Sequence, residues 1–182
     1  MKTNFEMVAA MNVAFGNPQG NINKVSLSRI KNQVKNIPDE VGELFIALGA
    51  DKHMTQDAVA HLKWLLAQSR GAVDLDKVRD SLTDIHVFAY GAHHLMGINA
   101  DDDCEVVVDA LFSRFVKDDA DKEKTIAKHA AAGVTDVYFI GDYPTMVMKS
   151  NSDQPDAPKG KFLKSASYSE PIFPPVNLVF VE

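Results

Sequence analysis

The stretch IKNQVKNIPDEVGELFIAL, residues 30–48, decides how the first half of the chain folds. Its apolar residues Ile30, Val34, Ile37, Val41, Leu44 and Leu48 recur at alternating four- and three-residue steps. That spacing keeps them on one side of a helix that turns once every ~3.6 residues. Pro38 interrupts the run, because inside a helix proline removes a backbone donor and collides with the preceding turn. The stretch therefore predicts a kinked helix or two helices joined near Asn36 or Ile37. Gly49 closes the second part.

On the N-terminal side, Met7, Met11 and Phe15 repeat every four residues, one stripe of a short helix that Gly16, Pro18 and Gly20 bring to an end. On the C-terminal side, Thr55 is expected to cap a helix running through His61, Trp64 and Leu65 to about Ser69. After Gly71, Asp74 can cap a stripe of Leu75, Val78, Leu82, Ile85, Ala89 and Ala92 that ends at Gly97. Asn99 or Asp101 then opens a helix through Val106, Val107, Ala110 and Phe115. The text changes from Lys117 onward. Residues 118–128 are charged and compatible with a helix. Val137–Ile140 and Thr145–Met148 are rich in β-formers and flank Gly141-Asp142-Tyr143-Pro144, which predicts a hairpin. Residues 151–159 read as a loop, and 171–182 as a proline-rich, then apolar tail that packs on a neighbour. The expectation is one mainly α domain over residues 1–182, with a helical core at about 1–117 and a hairpin and tail extension at about 118–182.

Composition narrows the function. The 182 residues carry 19 Lys plus Arg against 25 Asp plus Glu, a net charge of −6. This argues against binding a nucleic acid polymer, whose affinity rests on excess positive charge. It leaves nucleotide enzymes open, since hard divalent cations take carboxylate oxygens. A single cysteine, Cys104, excludes an internal disulfide framework and a cysteine-rich zinc site, and fits a reducing cytosol. No apolar run approaches the ~20 residues of a membrane span, and residues 1–15 lack a cleavable apolar block. A cytoplasmic protein without membrane partners is expected.

Two acidic constellations carry the chemistry. Glu40 and Glu43, with Asp39 beside them, project from one helix face because residues three apart lie side by side. Asp76, Asp80 and Asp84 form a second stripe at four-residue steps. Like charges so spaced repel, and on a face bordering a core they call for a cation. Two helices meeting with Glu40/Glu43 opposite Asp80/Asp84 would surround a small volume suited to Mg²⁺ or Mn²⁺. With 25 acidic residues in the chain, such pairs also arise as solvated faces, and spacing alone leaves both readings open.

The motif Asp39-Glu40-x-x-Glu43-Leu44, followed by Asp80-Ser81-Leu82-Thr83-Asp84-Ile85, resembles the all-α nucleoside triphosphate pyrophosphohydrolases, the MazG-like group. Their signature is E-E-x-x-E on one helix and E-x-x-D on the next. A phage branch of the group, the MazZ-type enzymes included, is more similar still. There the second motif reads D-A-L-A-D-V before an aromatic-Gly step, here Tyr90-Gly91. An opening F-G-x-P matches Phe15-Gly16-Asn17-Pro18, and a closing G-K-x-L-K-x-x-x-Y-x-x-P matches Gly160 to Pro171. The four elements occur in order between about residues 7 and 171.

The resemblance implies an antiparallel helical bundle that assembles as a homodimer or homotetramer, in the host cytoplasm if phage-encoded. It implies a catalytic and metal-binding set of Glu40, Glu43, Asp80 and Asp84, with Asp39 in or near the metal shell. On the order of two or three Mg²⁺ or Mn²⁺ ions would grip a triphosphate and activate a water, with no protein nucleophile. The products would be a nucleoside monophosphate and pyrophosphate, most readily from dGTP or GTP, with dATP next. Lys161 and Lys164 would neutralise phosphate charge, Lys117 matches the lysine of an S-N-x-x-K element, and Tyr168 belongs to the closing motif. Asn12 and Phe15 are the expected base contacts, against ordinary packing for Phe15. The chain departs from the pattern at Ser81, where the group has glutamate, at Asp39, and at Arg114, which replaces the asparagine and can itself pair with phosphate. Residues 122–156 have no assigned role. Phosphoribosyl-ATP pyrophosphohydrolysis and a catalytically inactive nucleotide-binding module are the competing readings; Ser81 and Asp39 favour the latter. His86, His93 and His94 read as packing residues, as do His61 and Trp64. Cys104 and Asp101-Asp102-Asp103 are assigned no chemistry.

Overall fold

The structure is a computed structural model and describes residues 2–175. It is mainly helical, with a small three-stranded antiparallel sheet. The chain forms two compact units, Met1–Gln19 with His86–Glu182, and Gly20–Ile85. The division expected near Lys117 falls inside the first of these. The segment 176–182 of the expected apolar tail lies outside the described residues.

The Gly20–Ile85 unit holds α2 (Leu27–Val34), α3 (Ile37–Ala47), α4 (Lys52–Gln68) and the first half of α5 (Leu75–Met96). Pro38 resolves the choice between a kink and a joint: α2 ends before it, and a new helix starts from Asn36 with the proline in its first turn. There the missing N–H costs nothing, because first-turn donors have no helical acceptor. Gly49, at φ +95°, ends α3 in the left-handed region. The start of α4 differs from expectation. Asp51 is the cap, its Oδ1 accepting from the Met54 N–H at 2.8 Å. Thr55 sits inside the helix and donates its hydroxyl to the Asp51 carbonyl at 2.7 Å. Asp74 receives the Lys77 N–H at 3.0 Å at the start of α5, as expected. Helices α3 and α4 pack closely enough that Gly42 is buried against Val59. No apolar side chain described in this unit is fully buried. The seam of residues 30–48 is half-buried at Ile30, Val34 and Ile37 and exposed at Val41, Leu44 and Leu48. Trp64, expected in the core, is 56% exposed and stacks on His61 at 5.7 Å.

The other unit contains α1 (Asn4–Ala14), the second half of α5, α6 (Ala100–Phe112), α7 (Asp119–Ala131), and strands β1 (Val137–Ile140), β2 (Val147–Ser150) and β3 (Phe162–Leu163). Thr3 and Glu6 form a reciprocal capping box on α1, and Asn99 caps α6. The predicted hairpin is present with Val137 opposite Ser150 and Ile140 opposite Val147, so its second strand starts two residues later than read. The third strand was not anticipated; Leu163 pairs with Met148. Fully buried Phe115, Val116 and Met148, with Val134, Val147, Ala157 and Leu163, make the core.

Candidate functional site

In the Gly20–Ile85 unit, Asp39 and Glu40 occupy the first turn of α3, where unpaired N–H groups favour negative charge. Asp39, Gly42 and Glu43 line an open cleft of about 530 Å³ whose other wall is Thr55, Gln56, Val59 and Lys63 of α4. Lys63 Nζ donates to both carboxylate oxygens of Asp39, at 3.0 and 2.8 Å. Both side chains are about 40% exposed, so the pair contributes under ~1 kcal/mol and serves mainly to orient Asp39. Lys63 was missed in the sequence, although a lysine on the same helical face as Val59 and Leu66 was the signal available.

Asp80 and Asp84 stand one turn apart, exposed, on α5. Ser81, Leu82 and Ile85 beside them line an apolar groove of about 440 Å³ that also takes Ile37 and Pro38 of α3. The residue preceding Asp39 and the residue following Asp80 thus border one groove. Asp76, first of the acidic stripe, pairs with Arg79 at 3.4 Å, both well exposed. Among the described residues no three His, Cys, Asp or Glu side chains stand close enough to hold a metal ion. The structure brings Asp39 and Glu43 into one cleft and leaves Glu40, Asp80 and Asp84 on exposed faces of the same unit. It does not gather the four expected ligands into one cluster.

In the other unit, hydrogen bonds draw the closing motif onto the end of α6. The Ser165 N–H donates to the Arg114 carbonyl at 3.0 Å, and the Ser165 hydroxyl to the Ser113 carbonyl at 2.7 Å. The Ala166 N–H donates to Thr125 Oγ1 at 2.8 Å, and Lys128 Nζ to the Ser165 carbonyl at 2.9 Å. The result assembles three of the expected substrate residues. Lys164 Nζ lies 3.9 Å from the centre of the Tyr168 ring, and the Arg114 guanidinium 5.5 Å from it. Glu170 accepts from Lys164 at 3.4 Å; the Tyr168 hydroxyl, then Lys164 and Arg114, hold its carboxyl below the usual range. Arg114 Nε is buried with no hydrogen-bond partner among the described residues.

The remaining expected residues are engaged in other contacts. Lys161 Nζ is taken by the Asp156 carbonyl. Lys117 borders a small cavity with Asp118, Asp121 and Lys124. Asn12 donates its side-chain amide to the Val8 carbonyl of its own helix, at 3.0 Å. Phe15 packs on Phe115 and Phe162, with ring centres 4.6 and 5.5 Å away. His93 faces Asp103 at 3.6 Å, and burial, with Asp101 nearby, raises the Cys104 thiol above its ordinary value.

No family model, curated protein or solved structure matches this chain. No helix among the described residues is long and apolar enough to cross a membrane.

Proposed function

We propose that this chain is a divalent-metal-dependent nucleoside triphosphate pyrophosphohydrolase, acting on a purine (d)NTP, foremost dGTP or GTP, as a homo-oligomer of the all-α bundle type. The observation that carries the reading is the presence of two carboxylate motifs in one helical unit. Asp39-Glu40-x-x-Glu43 begins α3, Asp80-x-x-x-Asp84 lies on α5, and the residues adjoining them border a common groove. The donor set is entirely carboxylate, which suits Mg²⁺ or Mn²⁺ in kind. Glu40, Glu43, Asp80 and Asp84 would hold the ions, with Lys63 keeping Asp39 directed. If bound there, such ions would screen triphosphate charge and lower the pKa of a coordinated water.

The test is pyrophosphate release from a panel of ribo- and deoxyribonucleoside triphosphates with Mg²⁺ or Mn²⁺. Turnover of a purine triphosphate that is lost in Glu43→Gln and in Asp84→Asn supports the proposal; no turnover of any member defeats it. A second reading, an inactive nucleotide-binding module, is favoured by the lack of any three clustered acidic or histidine side chains among the described residues. It requires nucleotide binding without turnover, and a thermal stability that Glu43→Ala leaves unchanged with metal present.

A further inference from the structure

Phe15 and Asn12, the residues expected to meet a base, are both engaged within the fold, Phe15 with Phe115 and Phe162 and Asn12 with the Val8 carbonyl. Trp64 is the reverse case. It is the chain's single tryptophan, expected in the core, yet it stands 56% exposed on α4. That leaves on the order of 100 Å² of indole in water. His61, also exposed, stacks on it with ring centres 5.7 Å apart and planes 19° from parallel, an offset stack. Helical side chains lean toward the N-terminus, so the indole lies back over the turn that holds Ala60 and His61. Two of its helical neighbours, Ala60 and Ala67, end at Cβ, which keeps the ring open. Ala60 and Lys63 in turn line the cleft that holds Asp39 and Glu43. Since Lys63 bonds Asp39, the indole stands beside the start of α3. Glu43 follows one helical turn further on, ~6 Å along the axis.

We propose that the His61–Trp64 stack is the base platform of this chain: the purine ring of a free nucleotide lies on the open face of the Trp64 indole, with its phosphates directed along the cleft toward Glu43. The proposal rests on the nucleotide-hydrolysing reading above and names its base contact. The chemistry of the platform sets the ligand class. An exposed indole offers a flat π-face, which takes any planar heteroaromatic ring whatever its hydrogen-bonding edge, and the larger purines cover more of it than pyrimidines. The existing stack is the second argument. His61 already fixes one side of the indole, so a base meets a ring held in place and loses less freedom on binding. Charge sets the source of the base. With a net charge of −6 the chain lacks the basic track that a nucleic acid strand requires, which leaves the mononucleotide.

Because Trp64 is the only tryptophan, the indole fluorescence of the full chain reports this site alone. Titration with dGMP, corrected for nucleotide absorbance against free tryptophan, should quench it to saturation. Quenching by dCMP should need higher concentrations, and deoxyribose 5-phosphate, which has no base, should leave the signal unchanged. In calorimetry Trp64→Ala should weaken dGMP binding about 5- to 150-fold, the loss of one stacked base, and Trp64→Phe should restore most of it. The helical circular dichroism should be kept, because the side chain is exposed. If Trp64→Ala loses that signal, the wild-type fluorescence and Trp64→Phe decide. Quenching that stays linear in dGMP, equal quenching by deoxyribose 5-phosphate, or a Trp64→Ala chain that binds dGMP as wild type does overturns the proposal. Tighter binding of a deoxyguanosine oligonucleotide than of dGMP overturns it too, since the platform would then belong to a strand-binding surface. None of these readings involves turnover. Pyrophosphate release from dGTP without fluorescence quenching sinks this inference alone, and quenching without pyrophosphate release sinks only the proposed activity.

Discussion

Replacing Gly42 with alanine probes the contact on which the Asp39–Glu43 segment rests. A Cβ at this position would lie 2.6 Å from Val59 Cγ2 and 3.5 Å from Thr55 Cγ2. Val59 is β-branched and holds essentially one side-chain rotamer in a helix, so its methyl cannot swing aside. The helices must separate or strain, and overpacking of this kind costs ~1–3 kcal/mol. Alanine regains about 1 kcal/mol over glycine in helix propensity. The net expectation is a loss of about 1 kcal/mol in urea unfolding followed by circular dichroism. Gly91 on α5 is the control, because nothing lies within 4 Å of a Cβ built there. Gly91→Ala should gain up to about 1 kcal/mol, so the two variants separate by about 2 kcal/mol. Adding Val59→Ala to Gly42→Ala should remove the clash penalty. If Gly42→Ala stabilises as much as Gly91→Ala, α3 and α4 do not cross at this glycine and the geometry given to Asp39 and Glu43 is wrong.

Phe115 is fully buried and touches the rings of Phe15, Phe112 and Phe162. Phe115→Ala should therefore cost ~3–5 kcal/mol in denaturant unfolding, and a cost below ~1 kcal/mol would contradict the core described here. The Tyr143 hydroxyl donates to Asp119 at 2.7 Å, and that bond raises its pKa to about 12. Since the folded value exceeds the ordinary tyrosine value of about 10, the contribution is whole below pH 10 and is lost as pH rises toward 12. Phenolate absorbance should show one tyrosine titrating last, a step absent in Tyr143→Phe; four coincident titrations would refute the contact.

Local rules carried the helical half of the chain. Pro38 announced a kink or break, which is the break between α2 and α3, Asp74 the start of α5, Asn99 or Asp101 that of α6, where Asn99 is the cap, and Gly49 and Gly97 the ends of α3 and α5, because each acts within a turn of its own position. The cap of α4 was misplaced because Asp51 and Thr55 are both good capping residues four apart, and only the hydrogen bonds decide between them. Features that depend on distant pairing were not legible. Strand β3 has only two residues, and its register is set by β2. Lys63 meets Asp39 across 24 positions, and the Phe15 ring finds Phe115 and Phe162 far along the chain. The seam at 30–48 was read correctly as helical, yet periodicity states only which side is apolar. Which positions along it are covered depends on what packs there from distant parts of the sequence, so the exposure at Leu44 and Leu48 could not be read from spacing.

The metal-binding claim is tested most directly by the Mn²⁺ dependence of stability. With free Mn²⁺ about 100-fold above its dissociation constant, the wild-type chain should gain about 2.7 kcal/mol, and Glu43→Ala combined with Asp84→Ala should gain nothing. A wild-type chain that Mn²⁺ does not stabilise, or a double variant that gains as much as wild type, would contradict the assignment of those carboxylates.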